Sequence, residues 1–83
     1  MKNIKLIETV KNKVYKITKI DIDDKKLLNE LNNFGIKQGN YITLLGSNYG
    51  KKSYLVCVNK VNFAIDKSIC EKVIVDAWDN FTW

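Results

Sequence analysis

Chemistry has few residues to work with in this 83-residue chain, which has no histidine and only two cysteines, Cys57 and Cys70. Without an imidazole the ordinary nucleophile–base–acid triad cannot be assembled. Two cysteines cannot fill a tetrahedral zinc site, and their spacing matches no metal motif. Cys57 lies inside an apolar strand pattern, where a reduced thiol behaves as a small hydrophobe. Both cysteines therefore read as free structural thiols of a reducing compartment. Asp21, Asp23 and Asp24 are dense enough to suggest a cation site. A calcium loop, however, needs ligands at set positions ending in a bidentate carboxylate, and capping of a following helix explains these acids better. The run Gly46-Ser47-Asn48-Tyr49-Gly50-Lys51-Lys52 has the glycines and lysines of a phosphate loop without the G-x-x-x-x-G-K-S/T spacing, and a strand follows it. It reads as a hairpin loop in which Tyr49, Lys51 and Lys52 are candidates for partner contact. Trp78, Phe81 and Trp83 are the last candidates. At ~25 cal/mol per Å2 and roughly 150–250 Å2 each, they contribute several kcal/mol when buried. They either fold back over the domain or anchor a partner. Catalysis is not expected.

The elements that position these residues are mostly strands. Ile4 to Val10 reads as a short strand and a turn of helix in ambiguous register, followed by a polar turn at Lys11-Asn12-Lys13. Val14 to Ile22 is rich in β-branched and aromatic residues. Tyr15 and Ile17 share one face while Ile20 and Ile22 share the other, so a bulge or bend must lie between 17 and 20. Leu27, Leu28, Leu31 and Phe34 form one helical stripe, with Asp23 or Asp24 as the cap. Gly35 ends that helix in a left-handed conformation, and Gly39 supplies a positive φ in the turn Lys37-Gln38-Gly39-Asn40. Tyr41 to Leu45 is the next strand, with Ile42 and Leu44 on one side.

Ser53 to Ile65 reads as a hairpin. A two-residue turn at Asn59-Lys60 pairs 58 with 61, 56 with 63 and 54 with 65. That register collects Tyr54, Val56, Val58, Val61, Phe63 and Ile65 on a core face, and leaves Leu55, Cys57, Asn62 and Ala64 opposite. Asp66 caps one helical turn to Glu71, and Lys72 to Val75 returns as a final strand.

The size allows one domain with one modest core, taken as residues 1–76 with an aromatic tail at 77–83. No apolar run approaches the ~18 residues that span a bilayer, and the start lacks a signal-peptide core, so a cytoplasmic location is expected. The net charge is +5, and every basic residue is lysine. Absence of arginine weighs against specific nucleic-acid readout, which favours bidentate guanidinium contacts. The lysines read as a solvated surface, or as steering toward an anionic partner.

The helix, Leu31-x-x-Phe34-Gly35-Ile36, two residues, Gly39 and then a strand are similar to the L-x-x-L-G-hydrophobic-x-P-G signature of the FeoA family. Val56-Cys57-Val58, Phe63-Ala64-Ile65-Asp66 and Cys70-Glu71-Lys72-Val73-Ile74-Val75 resemble its second block. Ile7 and Val10 match an L-x-x-L segment that packs under the barrel in such chains. The resemblance runs from Ile7 to Val75. It departs at Gln38, where the family has proline, and at Cys70, where it has alanine.

With the strand density, the resemblance implies a mainly β fold: a small SH3-like β-barrel of about five strands with one or two short α-helices, its interior filled by side chains. It further implies a bacterial cytoplasmic accessory protein of ferrous iron uptake, acting by contact with the FeoB-type membrane transporter. The family is also associated with transition-metal binding, yet no ligand set here would hold ferrous iron tightly. No cofactor, nucleic-acid partner or direct membrane insertion is expected, and self-association is expected to go no further than a weak homo-oligomer. The alternative is a stand-alone regulatory module related to the SH3-like C-terminal domain of iron-dependent repressors.

Overall fold

The computed structural model describes residues 2–48 and 50–77. Its strands are β1 (Asn3–Lys5), β2 (Val14–Ile20), β3 (Tyr41–Ser47), β4 (Ser53–Val58), β5 (Val61–Asp66) and β6 (Val73–Asp76). A 3-10 turn spans Leu6–Glu8, and two helices, α1 (Lys25–Asn33) and α2 (Lys67–Cys70), complete it. The strands form one antiparallel sheet in the order β1-β6-β2-β3-β4-β5. The fold is mainly β with two short helices, as the sequence implies. The sheet has six strands among the described residues and stays open, with β1 and β5 as its edges, so it is not a closed barrel of five.

The hairpin of β4 and β5 pairs Val58 with Val61, Val56 with Phe63 and Tyr54 with Ile65, the expected register. Asn59 and Lys60 both have positive φ, 53° and 68°, which is the geometry of a type I′ turn whose twist suits a hairpin. The change of phase in β2 is a bulge: its pairing with β6 shifts register between Ile17 and Lys19. The strand ends at Ile20, short of Ile22. β3 runs on through Gly46 and Ser47, with a second register shift against β4.

Helix α1 begins where Asp24 accepts hydrogen bonds from the N–H groups of Lys26 at 3.0 Å and Leu27 at 3.3 Å. It ends in a Schellman motif. The Gly35 N–H donates to the Asn32 carbonyl and the Ile36 N–H to the Leu31 carbonyl, both at 2.9 Å, with Gly35 at φ 91°. The motif carries its usual apolar contact, because Leu31 and Ile36 both enter the core.

That core also holds Leu6, Tyr15, Ile17, Ile42, Leu44, Val56, Val58, Ile65, Cys70, Val73 and Val75. Four expectations change. Phe34, the last residue of the helical stripe, is 57% exposed, because it lies at the C-cap where the chain is already turning away. Val61 is 57% exposed, because it opens an edge strand with no neighbour on its outer side. Near the start, Leu6 is fully buried while Val10 is 63% exposed. The 3-10 turn aims Leu6 inward, Ile7 packs partly buried against the core, and Val10 is left outside it. Asp66 stands at the N-cap of α2 without a side-chain hydrogen bond; the first N–H of that helix, from Lys67, goes instead to the Lys52 carbonyl at 3.0 Å.

Candidate functional site

Of the six residues singled out for partner contact, the structure describes Lys51 and Lys52. Tyr49, Trp78, Phe81 and Trp83 lie outside the described residues. The two lysines are exposed on the connection between β3 and β4. This connection is built from hydrogen bonds. Asn48 Oδ1 accepts from the N–H groups of Lys52 at 2.9 Å and Ser53 at 3.0 Å. The Lys51 N–H donates to the Asn48 carbonyl, and the Asn48 N–H to the Ser53 carbonyl. Gly50 and Lys51 take positive φ, 89° and 56°, so the side chains of 51 and 52 project from a tight turn. The Lys52 carbonyl also binds the start of α2, which brings Lys67 to the same corner.

A shallow groove of about 230 Å3 runs between α1 and β5, lined by Leu27, Leu31, Phe34, Phe63, Ile65 and Ile69, with Glu30 and Asp66 at its margins. The Phe34 and Phe63 rings close one end, with centroids 4.9 Å apart and planes tilted by 31°. Sequence reasoning assigned both rings to the interior and so missed the groove. The available signal was Gly35, since a residue directly before a left-handed glycine has left the helical stripe.

The acidic cluster does not assemble a site. Asp24 is committed to the helix cap, and no group of three or more His, Cys, Asp or Glu side chains able to hold a metal occurs among the described residues. Asp21, Asp23 and Asp24 instead border a depression that Lys72 shares. Both cysteines are free. Burial, followed by the neighbouring Glu71 carboxylate, pushes the Cys70 thiol up to about 12. It is therefore neutral at physiological pH and a poor nucleophile or ligand. Among the described residues, no helix is long and apolar enough to cross a membrane.

Among the described residues, the open sheet carries shallow grooves and lysine-bearing turns on its surface. It defines a small open β-domain with two short helices. The FeoA domain family model matches residues 4–77, and the chain belongs to that family. The family is a small accessory or regulatory domain and not a known enzyme family. The structure is similar to the crystal structure of an iron uptake regulatory protein, FeoA, with a TM-score of 0.76 and 22% identity, covering 92% of this chain and 97% of that one. It is also similar to a FeoA-like protein from Clostridium acetobutylicum, with a TM-score of 0.76 and 20% identity over 92% of this chain and 87% of the other. The repressor ScaR with bound Cd2+ gives a TM-score of 0.74 and 22% identity, covering 88% of this chain but 34% of ScaR. These likenesses establish the SH3-like FeoA fold. No curated protein sequence matches the chain.

Proposed function

We propose that this protein is a cytoplasmic accessory protein of ferrous iron uptake that acts by contact with the cytoplasmic region of a FeoB-type transporter. The observation that carries the reading is the family match over residues 4–77. The near end-to-end likeness to an iron uptake regulatory protein supports it. The protein's own features agree: its lysine-rich turns suit electrostatic steering of an encounter, and its surface grooves suit contact. Lys51 and Lys52, held forward by the Asn48 turn, belong to the steering set. The test is co-purification of the tagged protein with the transporter of the same organism, together with ferrous iron uptake in a strain lacking this chain. Capture of the transporter and reduced uptake are expected; normal uptake with no capture would overturn the reading.

The likeness to ScaR favours a second reading, a stand-alone counterpart of the domain that such repressors carry. On that reading the partner is a DNA-binding regulator. Capture of such a regulator, with iron uptake unchanged, would distinguish the two.

A further inference from the structure

We infer that the outer face of strands β2, β3 and β4 is a docking surface for an acidic protein segment. The inference rests on the reading that the protein works by contact with a transporter's cytoplasmic region, and it names the surface and the chemistry of what sits there. Partners in an antiparallel register put their side chains on the same face. The pairings Val14 with Thr43, Thr43 with Cys57, and Lys16 with Tyr41 therefore build two adjoining rows. Leu55, paired with Gly46, belongs to the same side. The alternate residues Tyr15, Ile42, Leu44 and Val56 are buried beneath it, and Leu6, Leu31 and Cys70 of the helical segments join them there.

A solvated outer face ordinarily alternates to polar residues. Here Val14 is 58%, Tyr41 57% and Leu55 42% exposed, on three neighbouring strands, with Cys57 half-buried among them. A single exposed apolar residue means little, but a contiguous set marks an interaction surface.

Charge says which partner fits. Residues 9–20 and 31–65, which include β2, β3, β4 and their turns, contain eight lysines and no aspartate or glutamate. The carboxylates that border this face are Asp76 of β6, opposite Lys16, and Asp66 of β5, opposite Ser53. An apolar centre on segments whose own charges are all positive, with carboxylates only at its two borders, suits a steered protein interface, and its complement is acidic. Thr43, and Asn62 paired with Cys57, put hydrogen-bonding groups in the middle of the row. A protein segment can satisfy those groups, whereas the acyl region of a bilayer cannot.

The test is a titration of the isotope-labelled full chain with the soluble cytoplasmic region of the transporter, followed by amide chemical shifts. Shifts are expected at Val14, Lys16, Tyr41, Thr43, Leu55 and Cys57. The affinity should weaken severalfold between about 50 and about 300 mM salt, as a screened charge contact does. The full-chain variants Val14→Thr and Leu55→Ser, verified as folded by the same spectra, should together weaken binding about tenfold or more. Binding with shifts confined to the α1 groove or the Asn48 turn would overturn this inference and leave the proposed function standing. No binding at all would overturn both. Two further outcomes overturn it by giving the face another occupant. One is the same shifts with phosphatidylglycerol vesicles and none with the protein. The other is movement of these resonances in the unbound chain when Trp78, Phe81 and Trp83 are replaced by serine.

Discussion

Gly35 and Gly39 stand four residues apart with almost the same φ, 91° and 95°, yet their surroundings differ. A Cβ at Gly35 would lie 2.9 Å from both Val58 Cγ1 and Asn59 Nδ2, whereas one at Gly39 would meet nothing within 4 Å. Gly35→Ala therefore combines backbone strain with a clash against the hairpin and should cost about 2–4 kcal/mol, while Gly39→Ala carries strain alone at about 1 kcal/mol. Urea melts of the two variants check this, and equal losses would contradict it. Cys70 gives a pH prediction. Its thiol is raised from 9.0 to about 12 by burial and by Glu71. Above pH 9 the unfolded chain loses this proton while the folded chain keeps it, so the unfolded state binds fewer protons and stability falls as pH rises. The contribution is complete below pH 9 and lost progressively between 9.0 and about 12. Denaturant midpoints followed across this range should decline less steeply in Cys70→Ala than in the parent.

At the level of the element, α1 separates residues that one stripe had grouped together. Leu31 is 4% exposed and Phe34 57%, so Leu31→Ala should cost about 2–5 kcal/mol and Phe34→Ala under about 1.5 kcal/mol, read from unfolding curves. In the hairpin, Lys60 holds a φ of 68° that glycine adopts without strain. Lys60→Gly should therefore stabilise the turn by about 0.5–1 kcal/mol, as a higher urea midpoint with unchanged slope. Elements set by local chemistry were legible in the sequence. Asp24, Gly35 and Gly39, the register around Asn59 and Lys60, and the bulge after Ile17 all express rules that act within a few residues. Pairings between distant segments were not. β1 is three residues long and exists through Ile4 opposite Val75, so nothing in its own sequence fixes it. Whether Val61 has a neighbour depends on which strand lies beside β5, and no local pattern encodes that. The candidate site was half legible for the same reason. The lysines of the Asn48 turn are local, whereas the apolar face of β2, β3 and β4 appears only once three strands are set side by side.

For the whole molecule, the order of the sheet places β6 between β1 and β2, held on both sides. Deleting residues 78–83 leaves every one of those strand pairings in place, so the loss in unfolding free energy should be under about 1 kcal/mol. A loss of several kcal/mol would show that the aromatics seal the core. The same pairing has a further consequence. Asn3 lies opposite Asp76, and the Ala77 N–H donates to the Lys2 carbonyl at 2.6 Å. Residues 2 and 77 thus meet at one corner of the molecule. Entrance and exit side by side let such a domain be inserted into a host chain through a single opening, or be circularly permuted with a short bridge and new ends cut in an exposed turn. A fusion joined directly at residue 2 or residue 77 would crowd that corner, next to Lys16 and Tyr41 on the row where docking is inferred. An attachment point elsewhere would leave that corner open.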